Sequence, residues 1–140
     1  MRTFRIVAFI TTILGLVNSI YLAIIKFSNN PQLCIQGVGD CWSVNTSKYS
    51  ELLGIPVAVF GFLALLTYLL MLLGESKYPQ RKTTFVYAEF ALTFLCLIFS
   101  IYLTYVEFFV IDAVCPFCVL SAIFVIILFI RSVWMLAHQK

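Results

Sequence analysis

The feature that most constrains the fold is a set of four apolar segments, each long enough to cross a lipid bilayer. They occupy residues 5–26, 55–74, 85–110 and 115–135. A transmembrane helix needs about 20 residues to span a hydrocarbon core of about 30 Å. Apolar residues make up 63% of the chain and charged residues 11%, whereas a soluble domain carries about 25% charged residues. The sequence therefore predicts an all-α membrane protein built as a bundle of four transmembrane helices.

The four segments account for nearly the whole length, so we expect a single domain over residues 1–140. The first segment follows Arg2 and Arg5, as the apolar part of a signal peptide would. Its apolar stretch is longer than the roughly 7–15 residues of a signal peptide, and no small-x-small cleavage site follows it. We therefore expect a helix that is retained in the membrane.

Basic residues predict the orientation of the helices. The 27–54 loop holds Lys26 at its edge and Lys48 within it, and the 111–114 connection holds no basic residue. The others, at the chain ends or between the second and third helices, are Arg2, Arg5, Lys77, Arg81, Lys82, Arg131 and Lys140. By the positive-inside rule both termini are cytoplasmic, and the two other connections face the periplasm, the cell exterior or a lumen. This topology explains the net charge of +3, so we expect no nucleic-acid partner.

The 27–54 loop is the only long polar stretch, and a long connection between membrane helices is often functional. Within it, the sequence TSKYSELLG at residues 46–54 predicts a short amphipathic helix. A hydroxyl side chain would cap its start, and Gly54 would end it. Its apolar face would include Leu52 and Leu53. We expect this helix to lie on the membrane surface and to cover the outward end of the bundle.

Two cysteine pairs carry the chemistry that the sequence predicts. Cys34 and Cys41 lie in the outward loop, while Cys115 and Cys118 form the CxxC motif CPFC where the fourth helix begins. All four therefore lie on the same, oxidising side of the membrane. Pro116 suits the first turn of a helix, where unpaired N–H groups stabilise a thiolate. Cys118 follows on the same face and about one turn deeper, so one sulfur meets water while the other points into the bundle.

This arrangement suits a relay in which a mobile cysteine pair exchanges disulfides with CPFC. The residues alone leave other interpretations open. A permanent disulfide between Cys34 and Cys41 would staple the loop, CPFC would be a structural thiol pair, or the four thiols together would hold a zinc ion. Structural zinc prefers C-x2–4-C spacing, which the loop pair lacks, so we predict no metal site. We interpret Cys96 in the third helix as an apolar packing residue, and we expect Glu89 either to extend to the nearby cytoplasmic surface or to pair with Lys82.

The order of these motifs resembles the vitamin K epoxide reductase family, and its prokaryotic branch most. The sequence CWSVNTSKYSELLGIPVAVFG, which begins at Cys41, and the later CPFC carry a resemblance that covers essentially the whole chain. It implies a four-helix bundle around a quinone of the ubiquinone, menaquinone or phylloquinone type. It also implies that Cys118 reacts with the quinone, with Cys115 as its resolving partner. Cys41 would exchange with Cys115, and Cys34 would meet an external thiol protein.

Five residues are expected around this quinone. On the face of the second CPFC cysteine, Ala122 and Val125 follow at i+4 and i+7 and are expected to line the pocket. Phe60 and Tyr105 are expected there from neighbouring helix ends. Asn18 lies deep in the first helix and needs a polar partner, either another helix or the ligand.

The resemblance predicts a thiol–disulfide oxidoreductase that passes electrons from a reduced partner through both cysteine pairs to a membrane quinone. The net result is disulfide formation in exported proteins. Because the chain ends at Lys140 without a thioredoxin-like domain, the expected partner is a separate thioredoxin-fold (DsbA-like) protein. Reduction of vitamin K quinone or its epoxide is an alternative, although VLSAI follows CPFC where the vertebrate enzymes have a Thr-Tyr-Ala stretch. Another alternative is a non-enzymatic membrane subunit whose outward thiols bind a metal or a partner.

Overall fold

The computed structural model describes residues 2–28, 48, 51–110, 112 and 116–139, which form a bundle of four long helices. The helices are α1 (Arg2–Ser28), α2 (Val57–Lys77), α3 (Lys82–Tyr105) and α4 (Pro116–Ala137). A 3-10 turn, Pro79–Arg81, joins α2 to α3, and a π-helical turn, Val106–Val110, continues α3. All four are long and apolar enough to cross a membrane, which confirms the predicted fold class. The protein is a multi-pass integral membrane protein.

The helices run alternately up and down. Phe4 near the start of α1 stacks on Trp134 near the end of α4, with ring centroids 4.4 Å apart. Tyr21 near the end of α1 contacts Phe117 at the start of α4, with centroids 4.7 Å apart. Gly74 near the end of α2 likewise faces Phe85 near the start of α3. Consequently α1 and α3 end where α2 and α4 begin, and we call this the hairpin end because a short β-hairpin precedes α2 there.

The apolar side chains divide between a small interior and a large outward surface. One buried cluster, formed among α1, α2 and α4, consists of Ala8, Tyr68, Leu72 and Leu128. Each helix also exposes large apolar side chains, among them Val17 (60%), Leu70 (61%), Leu95 (65%) and Ile130 (61%). A soluble monomer rarely exposes so much apolar surface. In a bilayer these side chains contact lipid, in keeping with the membrane-spanning bundle.

The segment that leads into α2 is a tight β-hairpin. Strand β1 (Glu51–Leu52) pairs antiparallel with strand β2 (Ile55–Pro56). The two turn residues, Leu53 and Gly54, have positive φ angles of 56° and 81°. Positive φ at both central residues is the requirement of a type I′ turn, whose twist matches that of the flanking strands. The chain therefore reverses direction immediately before α2 begins.

The predicted amphipathic helix over residues 46–54 is wrong where the hairpin lies. A left-handed residue does not continue a right-handed helix, and two of them occur in succession here. The β-branched Ile55 and the fixed φ of Pro56 then favour extended backbone before α2. Apart from Lys48, the part of the prediction that precedes the hairpin lies outside the described residues.

A buried charge cluster joins α2, α3 and α4 at the end opposite the hairpin. Arg131 of α4 donates hydrogen bonds to Glu75 Oε2 at 3.1 Å and to the Tyr68 hydroxyl at 3.0 Å. It also pairs with Glu89 Oε2. All four side chains are buried, Glu89 completely. The expected pairing of Glu89 with Lys82 is wrong, because a carboxylate inside the bundle needs a buried cation and Arg131 faces it from the neighbouring helix.

Candidate active site

The start of α4 places Cys118 against the interior of the bundle. Pro116 opens the helix, where its missing N–H costs no hydrogen bond. Cys118 therefore lies on the first turn. Its side chain is half-buried and packs against the buried Leu22 and Ile25 of α1. The second cysteine of the CxxC motif thus contacts apolar groups at the hairpin end.

The other three predicted redox cysteines, Cys34, Cys41 and Cys115, lie outside the described residues. Their roles and pairing stay predictions from the sequence. Among the residues that the structure describes, no group of three or more His, Cys, Asp or Glu side chains is placed to bind a metal ion. Of the four predicted redox cysteines, Cys118 is therefore the one whose surroundings the structure describes.

Asn18 of α1 holds the first turns of α4. Its Nδ2 donates hydrogen bonds to the Phe117 carbonyl at 3.0 Å and to Ser121 Oγ at 2.5 Å. The Ser121 hydroxyl in turn donates to the Phe117 carbonyl at 3.1 Å. Asn18 is 7% exposed, so these bonds form away from bulk water. Because Cys118 lies between Phe117 and Ser121 in the sequence, the same bonds fix its position relative to α1.

A cavity of about 660 Å³ lies between all four helices, and Cys118 is part of its wall. Pockets that bind small molecules typically have volumes of about 300–1,000 Å³. The wall is mostly apolar, with Leu22 from α1, Leu65 from α2, Phe99 from α3 and Phe124 from α4. From Cys118 to Leu128 it follows α4 for about 15 Å, at 1.5 Å per residue. It therefore has room for a flat ring beside Cys118 and for part of an attached apolar chain.

Three of the five predicted pocket residues lie in this wall, namely Phe60, Ala122 and Val125. Asn18 and Tyr105, both among the described residues, do not line it. Asn18 is engaged with α4, while Tyr105 is 58% exposed and its ring lies 5.1 Å from that of Phe109. Helical spacing from Cys118 locates residues on its own helix. Which residues of the neighbouring helices line the cavity depends on how each helix is rotated about its own axis. Spacing along α4 does not define that rotation.

Polar side chains that the sequence did not predict for the site also line the cavity. Titratable groups in the described wall are carried by Cys118 and by four residues that the sequence did not predict for the site, namely Lys26, Tyr68, Cys96 and Glu107. Lys26 Nζ forms a salt bridge with Glu51 Oε1 of the hairpin at 3.1 Å. Glu107 lies on the π-helical turn with only 3% of its surface exposed. In the sequence its place at the edge of an apolar segment is typical of a surface charge, and its apolar neighbours in YVEFFV are the one signal of burial.

A protein-family model also matches the chain. The model of the vitamin K epoxide reductase family covers residues 6–133, which is nearly the whole length. The chain belongs to the vitamin K epoxide reductase family. It is therefore a redox enzyme, a membrane oxidoreductase of the vitamin K epoxide reductase kind, and the resemblance drawn from its motifs is confirmed. The alternative of a non-enzymatic subunit does not agree with this membership.

Members of the vitamin K epoxide reductase family generally use quinones, and the cavity fits such a ligand. A quinone is a flat and largely apolar ring with two oxygen atoms, usually with an apolar tail. Phe60, Ala122 and Val125 give apolar surface, and Thr104 and Ser121 place hydroxyl groups in the same wall. An apolar pocket with a few polar groups is the usual form of a small-molecule site.

Proposed function

We propose that this member of the vitamin K epoxide reductase family is a thiol–disulfide oxidoreductase that reduces a membrane quinone. Electrons enter from a reduced thioredoxin-fold protein, pass through Cys34 and Cys41 to Cys115 and Cys118, and leave to the quinone. The reoxidised partner then forms disulfides in exported proteins. The observation that carries the proposal is the position of Cys118 in the wall of an apolar cavity between the four helices.

The proposed reaction balances electrons and protons. In each exchange a thiolate attacks a sulfur of the neighbouring disulfide, so the disulfide passes from one cysteine pair to the next. When the sulfurs of Cys115 and Cys118 bond, two thiols lose two electrons and two protons. Conversion of a quinone to a quinol takes up the same two electrons and two protons. No further oxidant or reductant is needed in the last step.

Residues around Cys118 support this role by holding the sulfur in place. Catalysis depends on a fixed approach of the reacting groups, and an error of about 1 Å costs on the order of 100-fold in rate. Asn18 and Ser121 fix the first turns of α4 against α1 through buried hydrogen bonds. The small side chain of Ala122, one turn beyond Cys118, leaves space for a ring. We infer that the quinone ring lies beside these two residues.

We further propose that the hairpin end faces the outward, oxidising side of the membrane and that both termini are cytoplasmic. The connection at the opposite end contains Arg81, which is exposed, and Lys82, which is half-buried. Short cytoplasmic connections are the ones in which basic residues accumulate. Disulfide formation needs an oxidising compartment, which agrees with the position of Cys118 at the hairpin end.

A coupled assay tests the proposal. Purified protein is mixed, without oxygen, with a reduced thioredoxin-fold oxidase and a ubiquinone or menaquinone analogue, and the quinone absorbance is followed in the ultraviolet. We expect one quinone reduced for each disulfide formed in the partner. Cys118→Ala abolishes both changes. Cys34→Ala blocks electrons from the partner protein but not from a small dithiol, because the small dithiol reaches the inner pair directly.

Two outcomes contradict the proposal. If folded wild-type protein reduces neither quinone analogue, quinone is not its acceptor. If it reduces vitamin K epoxide but not the two respiratory quinones, the epoxide activity named in the description of its family replaces the proposed one. The epoxide is therefore included as a third acceptor in the same assay.

A further inference from the structure

We propose that Glu107 delivers a proton to the quinone beside Cys118. The inference rests on the proposed quinone reduction and adds a catalytic residue to it. Quinol formation requires two protons in addition to two electrons, and the wall of the cavity is mostly apolar. An ionisable side chain inside a membrane protein is costly and is a functional candidate by default. Glu107 is such a side chain in the wall of the cavity that contains Cys118.

The location of Glu107 suits a proton carrier. Only 3% of the surface of Glu107 is exposed, and the residue lies on the π-helical turn Val106–Val110. Such turns often occur at functional sites. The contact between Glu89 of α3 and Arg131 of α4 marks a common level on the two helices. At about 1.5 Å per residue along each helix from that level, Glu107 lies roughly 7 Å nearer the hairpin end than Cys118. It therefore lies between the sulfur and the water at the hairpin end.

The other titratable groups of the described cavity wall suit this role less well. Tyr68 lies at the deep end beside Leu128, about 15 Å from Cys118 along α4, and its hydroxyl accepts a hydrogen bond from Arg131. Cys96 lies on the middle of α3, also deeper than Cys118. Lys26 is at the hairpin end but forms a salt bridge with Glu51.

In the proposed proton transfer, the bonds that break and form conserve both protons and electrons. As the S–S bond forms, the S–H bonds of Cys115 and Cys118 break. The O–H bond of the Glu107 carboxyl breaks, and an O–H bond forms on one oxygen of the quinone. One proton from the thiols restores the carboxyl group, and the other is exchanged through water for the second proton of the quinol. The sum remains dithiol and quinone to disulfide and quinol.

Two variants and one matched control test the inference. Glu107→Gln keeps size and hydrogen bonding but does not exchange a proton, while Glu107→Asp keeps the carboxyl group. Asp112→Asn is the control, because it removes an exposed carboxylate from the adjacent connection without touching the cavity. Asp112 has a φ of 54°, and asparagine tolerates that conformation. All three are compared with wild type at saturating quinone.

We expect kcat for quinone reduction to fall by about 100-fold in Glu107→Gln, the size of effect typical of general acid catalysis. The affinity for a non-reducible quinone analogue stays within about threefold of wild type, and Glu107→Asp restores at least a tenth of the rate. Asp112→Asn matches wild type. If Glu107→Gln loses quinone affinity as much as rate and Glu107→Asp restores neither, the residue is structural and the inference is overturned.

A second measurement needs no quinone. The infrared difference spectrum between reduced and oxidised protein is expected to contain a shifted carboxylic acid C=O band, because Glu107 is protonated in both states while the thiol pair near it becomes a disulfide. The band is absent in Glu107→Gln and present in Asp112→Asn. An unchanged spectrum in Glu107→Gln overturns the inference. If wild type reduces no quinone, the proposed function fails; if it does and Glu107→Gln keeps the full rate, only the role of Glu107 fails.

Discussion

Asn18 on α1 donates a 2.5 Å hydrogen bond to the hydroxyl of Ser121 on α4, one turn beyond Cys118. Together with the 3.0 Å bond to the Phe117 carbonyl, it ties α1 to α4 at the level of the Cys118 sulfur. Hydrogen bonds between membrane helices contribute only about 0.6 kcal/mol on average, and at most about 1.7 kcal/mol. Their importance here is therefore the placement of Cys118 more than the stability of the bundle.

The first prediction concerns Asn18→Leu. It lowers the free energy of unfolding by only about 1 kcal/mol, but it lowers quinone turnover by about 10-fold or more because the sulfur loses its fixed position. Reversible unfolding in mixed detergent and steady-state kinetics measure the two effects. Thr67→Val is the control, because it removes a hydrogen bond of 2.8 Å within α2, away from the cavity. Equal turnover in both variants would show that Asn18 does not position the active site.

The second prediction concerns the volume of the cavity. Ala122→Phe places a ring in the space beside Cys118 and is expected to raise the KM for quinone by about 10-fold or more, since the added group displaces ligand of similar size. Exchange of disulfides with the partner is expected to stay unchanged, because it does not involve the quinone. Ala91→Phe on the exposed face of α3 is the matched control and leaves the KM unchanged. Binding of quinone to Ala122→Phe with wild-type affinity would place the site elsewhere.

The third prediction concerns the buried charge cluster. Arg131→Met leaves Glu75 and Glu89 buried without their cation, and loss of one partner of a buried ion pair costs about 3–5 kcal/mol. We expect unfolding at a correspondingly lower fraction of denaturing detergent. Combining it with Glu75→Gln and Glu89→Gln recovers most of the loss, because no unpaired charge is then buried. A single variant as stable as wild type, or a triple variant no better than the single one, contradicts the role assigned to this cluster.

The fourth prediction concerns the hairpin before α2. Gly54→Val forces a β-branched residue to the φ of 81° and is expected to destabilise the turn by about 1–2 kcal/mol. Leu53→Asn is expected to be neutral or stabilising, because asparagine tolerates positive φ and Asn-Gly is the preferred type I′ pair. Amide hydrogen exchange at Ile55 reports the stability of the turn in both variants. Faster exchange in Leu53→Asn than in Gly54→Val would contradict the turn type.

The four membrane helices were predictable because apolar content over about 20 residues decides the fold in a bilayer. Helical spacing on a single helix was also enough to bring Ala122 and Val125 to the same wall as Cys118. Tyr105 failed to reach this wall, since its place depends on how α3 rotates against its neighbours. Apolar segments and helical spacing therefore identify the helices and the residues that share a face of one helix. They do not identify the contacts between helices.

The charged residues show this limit most clearly. Glu89 and Arg131 are far apart in the sequence, and only the antiparallel register of α3 and α4 brings them together. Glu107 at the edge of an apolar segment looks like a surface charge until the π-helical turn places it in the cavity wall. The hairpin at Glu51–Pro56 was missed for a local reason. Its residue types are compatible with a short helix as well as with a turn. The positive φ angles of Leu53 and Gly54 produce the turn.

The measurement that tests the central claim most directly is the oxidation of the reduced protein by quinone without any partner protein. Fully reduced protein is mixed with excess quinone in an anaerobic stopped-flow instrument, and the quinone absorbance is compared between wild type and Cys118→Ser. The account predicts two quinols per chain for wild type, one for each cysteine pair, with a new disulfide that contains Cys118 by peptide mapping, and none for Cys118→Ser. Equal quinol formation by both proteins, or none by folded wild type, would contradict the claim that Cys118 passes electrons to a quinone.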